Sequence, residues 1–131
     1  LHAAVGHLHA QVVRLLLDAG ANVNAVDRGG VTPLIALCET FPGDDDPDDS
    51  KRVAIARQLL QQGAEASVLD GTGYSSVHYA VQWENMELLD VILWGVPVAV
   101  NHRSEDGFTP LYLAAMLGRA GTVTHLLSRG A

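Results

Sequence analysis

The sequence predicts an all-α solenoid of stacked helix-turn-helix units with hairpin-like finger loops. Three observations indicate this fold class. A helix-entry motif, Val31-Thr32-Pro33-Leu34, returns at Phe108-Thr109-Pro110-Leu111 and, in degraded form, at Tyr74-Ser75-Ser76-Val77. Apolar residues recur at helical spacing after these motifs. Glycines close the predicted second helices in step with the motif, and returns in a shared phase are typical of repeat proteins.

The register of the units is set by the apolar residue near the start of each first helix. Those residues are Leu1, Leu34, Val77 and Leu111. They lie 33, 43 and 34 residues apart, and the predicted helix-ending glycines follow in order at Gly20, Gly63, Gly95 and Gly130. The ten extra residues of the second unit fall in segment 40–50. Because loops and helix ends tolerate insertions, this pattern indicates a real repeat.

In the first unit, the pattern predicts a short helix over residues 1–5 that breaks near Gly6. A second helix then runs from about His9 to Gly20, where a left-handed glycine can end it. Residues 21–30 are too polar and glycine-rich for a helix, so we expect an extended finger with a turn near 27–30.

The later units repeat this plan with local changes. Thr32 can cap the next helix through its hydroxyl, and Pro33 fits the first helical turn. The second unit carries an acidic insertion, and Asp48, Asp49 and Ser50 favour a helix that begins near Lys51. In the third unit we expect Trp94, beside the shortened turn at Gly95, to be a packing residue.

The whole chain, 1–131, is therefore predicted to be one array. Its units are a partial repeat at 1–26, a repeat with an acidic insertion at 40–50 over 27–69, a repeat at 70–103 and a partial repeat at 104–131. The phase predicts that these residues are an excerpt from a longer array. Natural arrays need polar capping units at both ends, and neither end of this chain looks like a cap. We therefore expect the isolated chain to be marginally stable, with melting below about 65 °C.

Composition excludes several function classes. Apolar residues make up 48% of the chain and aromatic residues 5%, which predicts a core of Leu, Val and Ala. The net charge of −7 disfavours nucleic acid, which requires a basic patch. No apolar run is long enough to span a bilayer, so we expect no membrane contact from this segment. A single cysteine, Cys38, indicates a reducing intracellular compartment, cytoplasmic or nuclear.

Three groups of residues suggest chemistry, and each has a simpler interpretation. Cys38 and His78 could form a nucleophile and base, but no third group orients the histidine. His2, His7 and His9 could suggest zinc, but nothing completes a ligand set. The acidic run 44–49 lacks the pattern of a calcium loop, and five like charges around a proline more often form a solvated loop. We therefore predict no catalytic residue, metal or cofactor.

Motifs along the whole chain resemble one known family. They are Leu1-His2-Ala3-Ala4, Leu15-Leu16-Leu17-Asp18-Ala19-Gly20-Ala21-Asn22-Val23-Asn24-Ala25, Thr32-Pro33-Leu34, Gln61-Gln62-Gly63-Ala64, Val77-His78-Tyr79-Ala80 and Gly107-Phe108-Thr109-Pro110-Leu111-Tyr112-Leu113-Ala114-Ala115. These residues resemble ankyrin repeats. The resemblance implies that His2 and His78 tie neighbouring turns. The same position holds Ile35 and Tyr112 in the other units, so the resemblance implies looser turns there.

The resemblance implies a non-catalytic protein-protein interaction module, a monomeric scaffold that binds a partner protein across its finger tips and the concave face of its first helices. The residues placed there are Arg28, Val31, Glu39, Thr72, Tyr74, Gln82, Trp83, Arg103, Glu105, Phe108 and Met116. Tyr74 and Phe108 could instead fill gaps between fingers. The alternatives for the whole array are a structural spacer, or the substrate-recognition part of a larger enzyme or ubiquitin-ligase subunit.

The resemblance also implies a modification site. Asn24 and Asn101 occupy the finger position where the family carries asparagine, usually to bond the backbone across the turn. In the family this residue can be hydroxylated by a cytosolic asparaginyl hydroxylase. Leu16, eight residues before Asn24, suits that enzyme, whereas Asn22 replaces the usual acidic residue.

Overall fold

The computed structural model describes residues 1–39 and 50–131, and it is all-helical over those ranges. Within these described ranges, eight α-helices and one 3-10 helix follow one another. They are α1 (His2–Gly6), α2 (Ala10–Asp18), α3 (Pro33–Glu39), α4 (Ser50–Gln61), α5 (Ser76–Gln82), α6 (Met86–Gly95), the 3-10 helix (Pro97–Asn101), α7 (Pro110–Met116) and α8 (Ala120–Ser128). This architecture confirms the predicted fold class.

The helices form two rows. The first helices of successive units, α1, α3, α5 and α7, pack side by side, and the second helices α2, α4 and α6 form the other row. Within each unit the first helix also packs on the second. Each unit therefore contacts mainly its neighbours, as expected for a solenoid whose apolar surface is buried between repeats.

The core lies between the two rows and is aliphatic. Its fully buried side chains include Val5, Val13, Leu37, Ile55, Leu59, Val77, Leu89, Ile92 and Leu126. No phenylalanine, tyrosine or tryptophan in the described ranges is in the buried class. The prediction of a core built from Leu, Val and Ala is confirmed. Small side chains of this kind allow close helix packing.

The entry motifs cap the first helices as predicted. The Thr32 hydroxyl accepts a hydrogen bond from the backbone N–H of Ile35 at 3.2 Å, and the Thr109 hydroxyl accepts one from that of Tyr112 at the same distance. In the degraded motif Ser75 takes this position, and its hydroxyl lies 2.7 Å from Nδ1 of His78. A hydroxyl that satisfies an otherwise unpaired N–H stabilises the first helical turn.

Two histidines tie each of their helices to the next finger, as the resemblance implies. Nε2 of His2 lies 2.7 Å from the carbonyl oxygen of Val31, and Nε2 of His78 lies 2.8 Å from that of Phe108. Between these two positions stands Ile35, which is buried and cannot form such a bond. The neighbouring fingers there are joined by a backbone bond from the N–H of Gly71 to the oxygen of Gly29, at 2.7 Å.

The second helices end in two different ways. Gly20, Gly63 and Gly130 have φ values of 90°, 89° and 91°, the left-handed region that favours glycine at a helix end. Gly95 differs, because it is itself the last residue of α6, and Val96 leads into the 3-10 helix without a left-handed turn. The prediction that Gly95 ends its helix is confirmed, although the conformation there is not that of the other three glycines.

The prediction that Trp94 is a packing residue is also wrong. Trp94 is 79% exposed on the outer row of helices. In the other units the residue before the terminal glycine is Ala19, Gln62 or Arg129, and each is exposed as well. The phase of the repeat therefore contained the signal that this position faces solvent, and the large ring obscured it.

A buried arginine joins the two helices that flank segment 40–49. Nη1 of Arg52, in α4, donates a 2.5 Å hydrogen bond to the carbonyl oxygen of Leu37 in the last turn of α3. That oxygen is one of those left without an intrahelical partner at a helix end, so the guanidinium stabilises the end of α3. The predicted roles of the acidic run 44–49, including the cap by Asp48 and Asp49, lie outside the described residues.

Over the described ranges, no helix is both long enough and apolar enough to cross a membrane.

Candidate partner-binding surface

The three fingers of the described chain share one hydrogen-bonding pattern. In each, a side-chain oxygen accepts hydrogen bonds from backbone N–H groups of the same turn. Oδ1 of Asp27 accepts from the N–H groups of Gly29 and Val31, at 2.8 and 3.0 Å. In the second finger Oδ1 of Asp70 accepts from Thr72 and Tyr74. In the third, the hydroxyl of Ser104 accepts from Phe108 at 3.1 Å. Short polar side chains fix such turns locally.

Backbone hydrogen bonds join the fingers into one ridge. The N–H of Gly71 bonds the oxygen of Gly29, and the N–H of Glu105 bonds the oxygen of Gly73 at 2.9 Å. Gly73 has a φ of 85°, and a Cβ there would lie 2.5 Å from Cβ of Glu105, so the close approach requires glycine. We call the finger tips, together with the first helices beside them, the finger face.

The predicted contact residues fall into two groups on the finger face. The exposed group is Arg28, Glu39, Thr72, Arg103, Glu105 and Met116. The partly buried group is Val31, Tyr74, Gln82, Trp83 and Phe108. The side chains of the first group are open to solvent and therefore accessible to a partner. The second group supports the face from below and exposes part of each side chain.

Two predicted aromatic anchors also pack on their own unit. The Tyr74 ring stacks on His78 with centroids 5.7 Å apart and meets the edge of Tyr79 at 5.8 Å. The Phe108 ring stacks on Tyr112 at 4.7 Å. These contacts hold each ring against the first helix of its own unit, and they do not join adjacent fingers. Both rings are partly exposed.

Trp83 joins two neighbouring units on the finger face. Its indole Nε1 donates a hydrogen bond to the carbonyl oxygen of Glu39, at 3.1 Å. Glu39 ends α3, and Trp83 follows the last residue of α5. The bond satisfies a carbonyl at a helix end and fixes the large ring in one orientation.

A polar cluster at the centre of the finger face was missed at the sequence level. Tyr79 Oη donates to Oδ2 of Asp70 at 2.6 Å, and the Thr72 hydroxyl donates to Oδ1 at 2.6 Å. With the two backbone bonds from its own finger, the Asp70 carboxylate accepts four hydrogen bonds. Tyr79 was missed because, in the sequence, only its place after the motif histidine distinguishes it. Asp70 could have been found, because it matches Asp27 in the phase of the repeat.

These bonds keep Asp70 ionised and Tyr79 protonated. Burial alone would raise the pKa of Asp70, but the hydrogen bonds from Thr72, Tyr79 and Tyr74 outweigh it and lower the pKa. Burial, reinforced by the bond to Asp70, raises the pKa of the Tyr79 hydroxyl to about 12. The cluster therefore presents a fixed negative charge at neutral pH.

The charge of the finger face is unbalanced around this cluster. Burial raises the pKa of Glu39, and repulsion from Asp70 and Asp27 raises it further. The negative charges of Asp27, Asp70 and Glu39, which come from two fingers and one helix, therefore act on one another.

Asn24 has the structural role that the resemblance implies. Its Nδ2 donates to the oxygen of Gly63 at 3.0 Å, and its Oδ1 accepts from the N–H of Glu65 at 2.9 Å. The side chain thus joins the first finger to the next unit. Asn101 is exposed at the end of the 3-10 helix, and the described part of the chain shows no side-chain bond to it. The different helix end at Gly95 accounts for this difference.

The candidate nucleophile and metal ligands are held in structural roles. Cys38 is buried, and burial raises the pKa of its thiol, against a smaller opposing effect of Arg52. His78 has both ring nitrogens occupied, by Ser75 and by Phe108. His2 bonds Val31, and the rings of His7 and His9 stack 6.0 Å apart. Within ranges 1–39 and 50–131, no three His, Cys, Asp or Glu side chains form a potential metal site.

Family models and curated proteins show what this chain is similar to. A family model described as "Ankyrin repeats (3 copies)" matches residues 49–131, and one described as "Ankyrin repeat" matches residues 1–28. Similar curated proteins include the "Neurogenic locus Notch protein" of Drosophila melanogaster, 37% identical over 123 residues and 93% of this chain. The "Nuclear factor NF-kappa-B p105 subunit" of Rattus norvegicus is 30% identical over 139 residues and 100% of this chain.

A third similar protein is the "Putative E3 ubiquitin-protein ligase XBAT31" of Arabidopsis thaliana, 28% identical over 142 residues and 99% of this chain. The matched region covers 4% of the Notch protein, 13% of the p105 subunit and 29% of XBAT31. This chain therefore spans less than a third of the length of each of these relatives.

Proposed function

Because this chain belongs to the ankyrin repeat family, whose members are protein-protein interaction modules, we propose that it is a non-catalytic, monomeric module that binds a partner protein through the finger face. The observation that carries the proposal is the continuous ridge of fingers, joined by the backbone bonds of Gly71 and Glu105. A ridge fixed before binding costs little conformational entropy when a partner docks.

The side chains on this ridge suggest what the partner offers. Met116 is 55% exposed and can contact an apolar side chain. Trp83, held by its bond to Glu39, supplies a large and already oriented ring. The negative charges of Asp27, Glu39 and Asp70 on this face favour an arginine or lysine in the partner segment. The partner segment is therefore expected to combine a basic residue with apolar residues on either side.

Two other functions of the array are tested by the same approach. A structural spacer would contact partners through other parts of a longer protein. A substrate-recognition role is suggested by the ligase named among the relatives, and it would use the same finger face. The spacer predicts no partner on the finger face, whereas the recognition role predicts a partner that is also a substrate.

Photo-crosslinking from single positions tests the proposal. A benzophenone amino acid replaces Arg103 or Met116, both exposed on the finger face, or Leu15, which is 67% exposed on the outer helix α2. In cells that express the protein, we expect a protein adduct from the first two positions, and none from Leu15. Adducts from Leu15 alone would contradict the proposal, and the absence of adducts from all three positions would favour the spacer.

We also propose hydroxylation of Asn24 by a cytosolic asparaginyl hydroxylase. The residue lies in a finger and is only partly buried, and its Nδ2 and Oδ1 already bond the next unit, so a Cβ hydroxyl is compatible with both bonds. Co-expression with such an enzyme should add one oxygen to the intact mass, and Asn24→Ala should remove the addition. Unchanged mass of the wild-type chain would refute the modification.

A further inference from the structure

The outer row of helices carries a groove that the finger face does not include. It lies beside the ends of α4, α6 and α8, has a volume of about 530 Å³, and is lined by Arg57, Leu60, Val91, Trp94 and Arg129 among others. A second cavity of about 390 Å³ is also lined by Trp94 and Arg129, together with Leu93 and Pro97. Trp94 therefore forms a wall shared by two adjoining cavities.

The irregular third unit forms this groove. A Cβ at Gly95 would lie 3.3 Å from Cδ1 of Leu60, so the end of α6 closely approaches α4. The chain then enters the 3-10 helix instead of the left-handed turn of the other units. The Trp94 side chain projects from the surface at a position where the other units carry small or polar residues. The groove therefore lies where the third unit departs from the repeat pattern.

The charges along the groove are asymmetric. Nη2 of Arg129 and Nε2 of His125 both lie 2.6 Å from Oδ1 of Asp90, so the one lining carboxylate is already paired. Arg57 is exposed, and within the described residues none forms a hydrogen bond or ion pair with its guanidinium. Two arginines against one aspartate leave a local positive charge on a chain whose net charge is −7.

We propose that this groove binds an acidic peptide segment of a partner protein, with an apolar or aromatic side chain against Trp94 and a neighbouring carboxylate on Arg57. The exposed indole supplies a large apolar surface from which binding would displace water. The planar guanidinium suits bidentate pairing with a carboxylate. The net charge of −7 disfavours a polyanion such as nucleic acid, because repulsion would grow with its length, whereas a short acidic segment meets only the local positive field.

A subtractive selection tests the proposal without a known partner. A phage-displayed library of random dodecapeptides is depleted on the Trp94→Ala chain and then selected on the wild-type chain. Because Trp94 is 79% exposed, this variant should keep the wild-type circular dichroism and melting temperature. We expect the selected peptides to be enriched in Asp or Glu next to Leu, Ile or Phe.

Matched variants then locate the binding site. For a selected peptide we expect at least roughly ten-fold weaker binding to Arg57→Glu, and an intermediate loss for Arg57→Lys. Leu15→Ala removes another exposed apolar side chain from a different outer helix, and Trp83→Ala alters the finger face. Both controls should bind the peptide like wild type. In the Trp83→Phe chain, Trp94 is the one remaining tryptophan, and its emission should shift to the blue on binding.

Several results would overturn the proposal. One is a selection that yields no peptide dependent on Trp94. Another is a set of dependent peptides without acidic residues, or unchanged binding to Arg57→Glu. Equal losses for Leu15→Ala or Trp83→Ala would show that the effect of Trp94→Ala is not local. The finger-face proposal is independent of each of these results, because it is tested at other positions.

Discussion

Replacement of His78 by alanine is expected to lower the free energy of unfolding by about 2–4 kcal/mol. The side chain is fully buried, and it joins two units through Nε2 and the carbonyl oxygen of Phe108. Because that oxygen can only accept, Nε2 carries the ring proton and Nδ1 accepts from Ser75. Alanine leaves both partners without their bonds in a dry interior, and it creates a cavity. Urea denaturation followed by circular dichroism measures the loss.

His2 provides the matched control for this prediction. It forms the same bond, from Nε2 to the oxygen of Val31, but it is only partly buried. Water can therefore replace the bond, and His2→Ala should cost about 1 kcal/mol or less. Equal losses for the two variants would show that burial does not determine the value of this contact.

The same histidine predicts a dependence of stability on pH. Burial lowers the pKa of His78, and the charge of His102 lowers it further, while the bond to Phe108 opposes both effects. Protonation thus favours the unfolded chain. The contribution is fully present above the unfolded pKa of about 6.5, and it is lost as the pH falls through that value toward the folded pKa.

Melting curves between about pH 7.5 and pH 5.5 test the sign of this effect. We expect the melting temperature to fall with pH, and His78→Gln to show a weaker dependence, because only His102 then contributes in the same direction. The raised pKa of Glu39 acts in the opposite direction, so Glu39→Gln should steepen the fall. A melting temperature that rises in acid in the Glu39→Gln chain would contradict the assignment of His78.

Replacement of Trp83 by alanine is expected to weaken binding of the crosslinked partner by roughly 30-fold or more, with a small loss of stability. The ring is partly buried and already oriented by the bond from its Nε1 to Glu39. Tryptophans fixed in this way contribute strongly to interfaces because little freedom is lost on binding. Isothermal titration with the purified partner measures the change.

Two further variants separate contact from packing. Trp83→Phe keeps an aromatic ring but loses the donated bond, so we expect an intermediate affinity. Tyr74→Ala removes a ring that packs on His78 and Tyr79, so we expect losses of both affinity and stability. If Trp83→Ala lowers the melting temperature and leaves the affinity unchanged, then Trp83 is a packing residue and its assignment to the contact surface is wrong.

The sequence was sufficient for features that depend on local chemistry and repeat phase. The caps at Thr32 and Thr109 follow from residue type at a helix start, and both are found. The second-helix ends at Gly20, Gly63 and Gly130 follow from the left-handed conformation that glycine favours. These features need only neighbours in the chain, and that is why a pattern can predict them.

Features that depend on contacts between separate elements were harder to predict. Trp94 was expected to pack, because a large apolar ring near a helix end usually does, yet it is exposed like its counterparts Ala19, Gln62 and Arg129. The Asp70–Tyr79 cluster joins a finger to a helix nine residues later. Arg52 bonds the carbonyl oxygen of Leu37 at the end of α3, fifteen residues earlier in the chain. Spacing alone does not specify any of these contacts.

Hydrogen exchange of the chain with and without the crosslinked partner tests the central claim most directly. If the finger face binds the partner, amide exchange should slow in residues 70–74 and 104–108 and in α5, while α2 exchanges at the same rate in both states. Slower exchange confined to α2 and α4, with unchanged fingers, would contradict the claim.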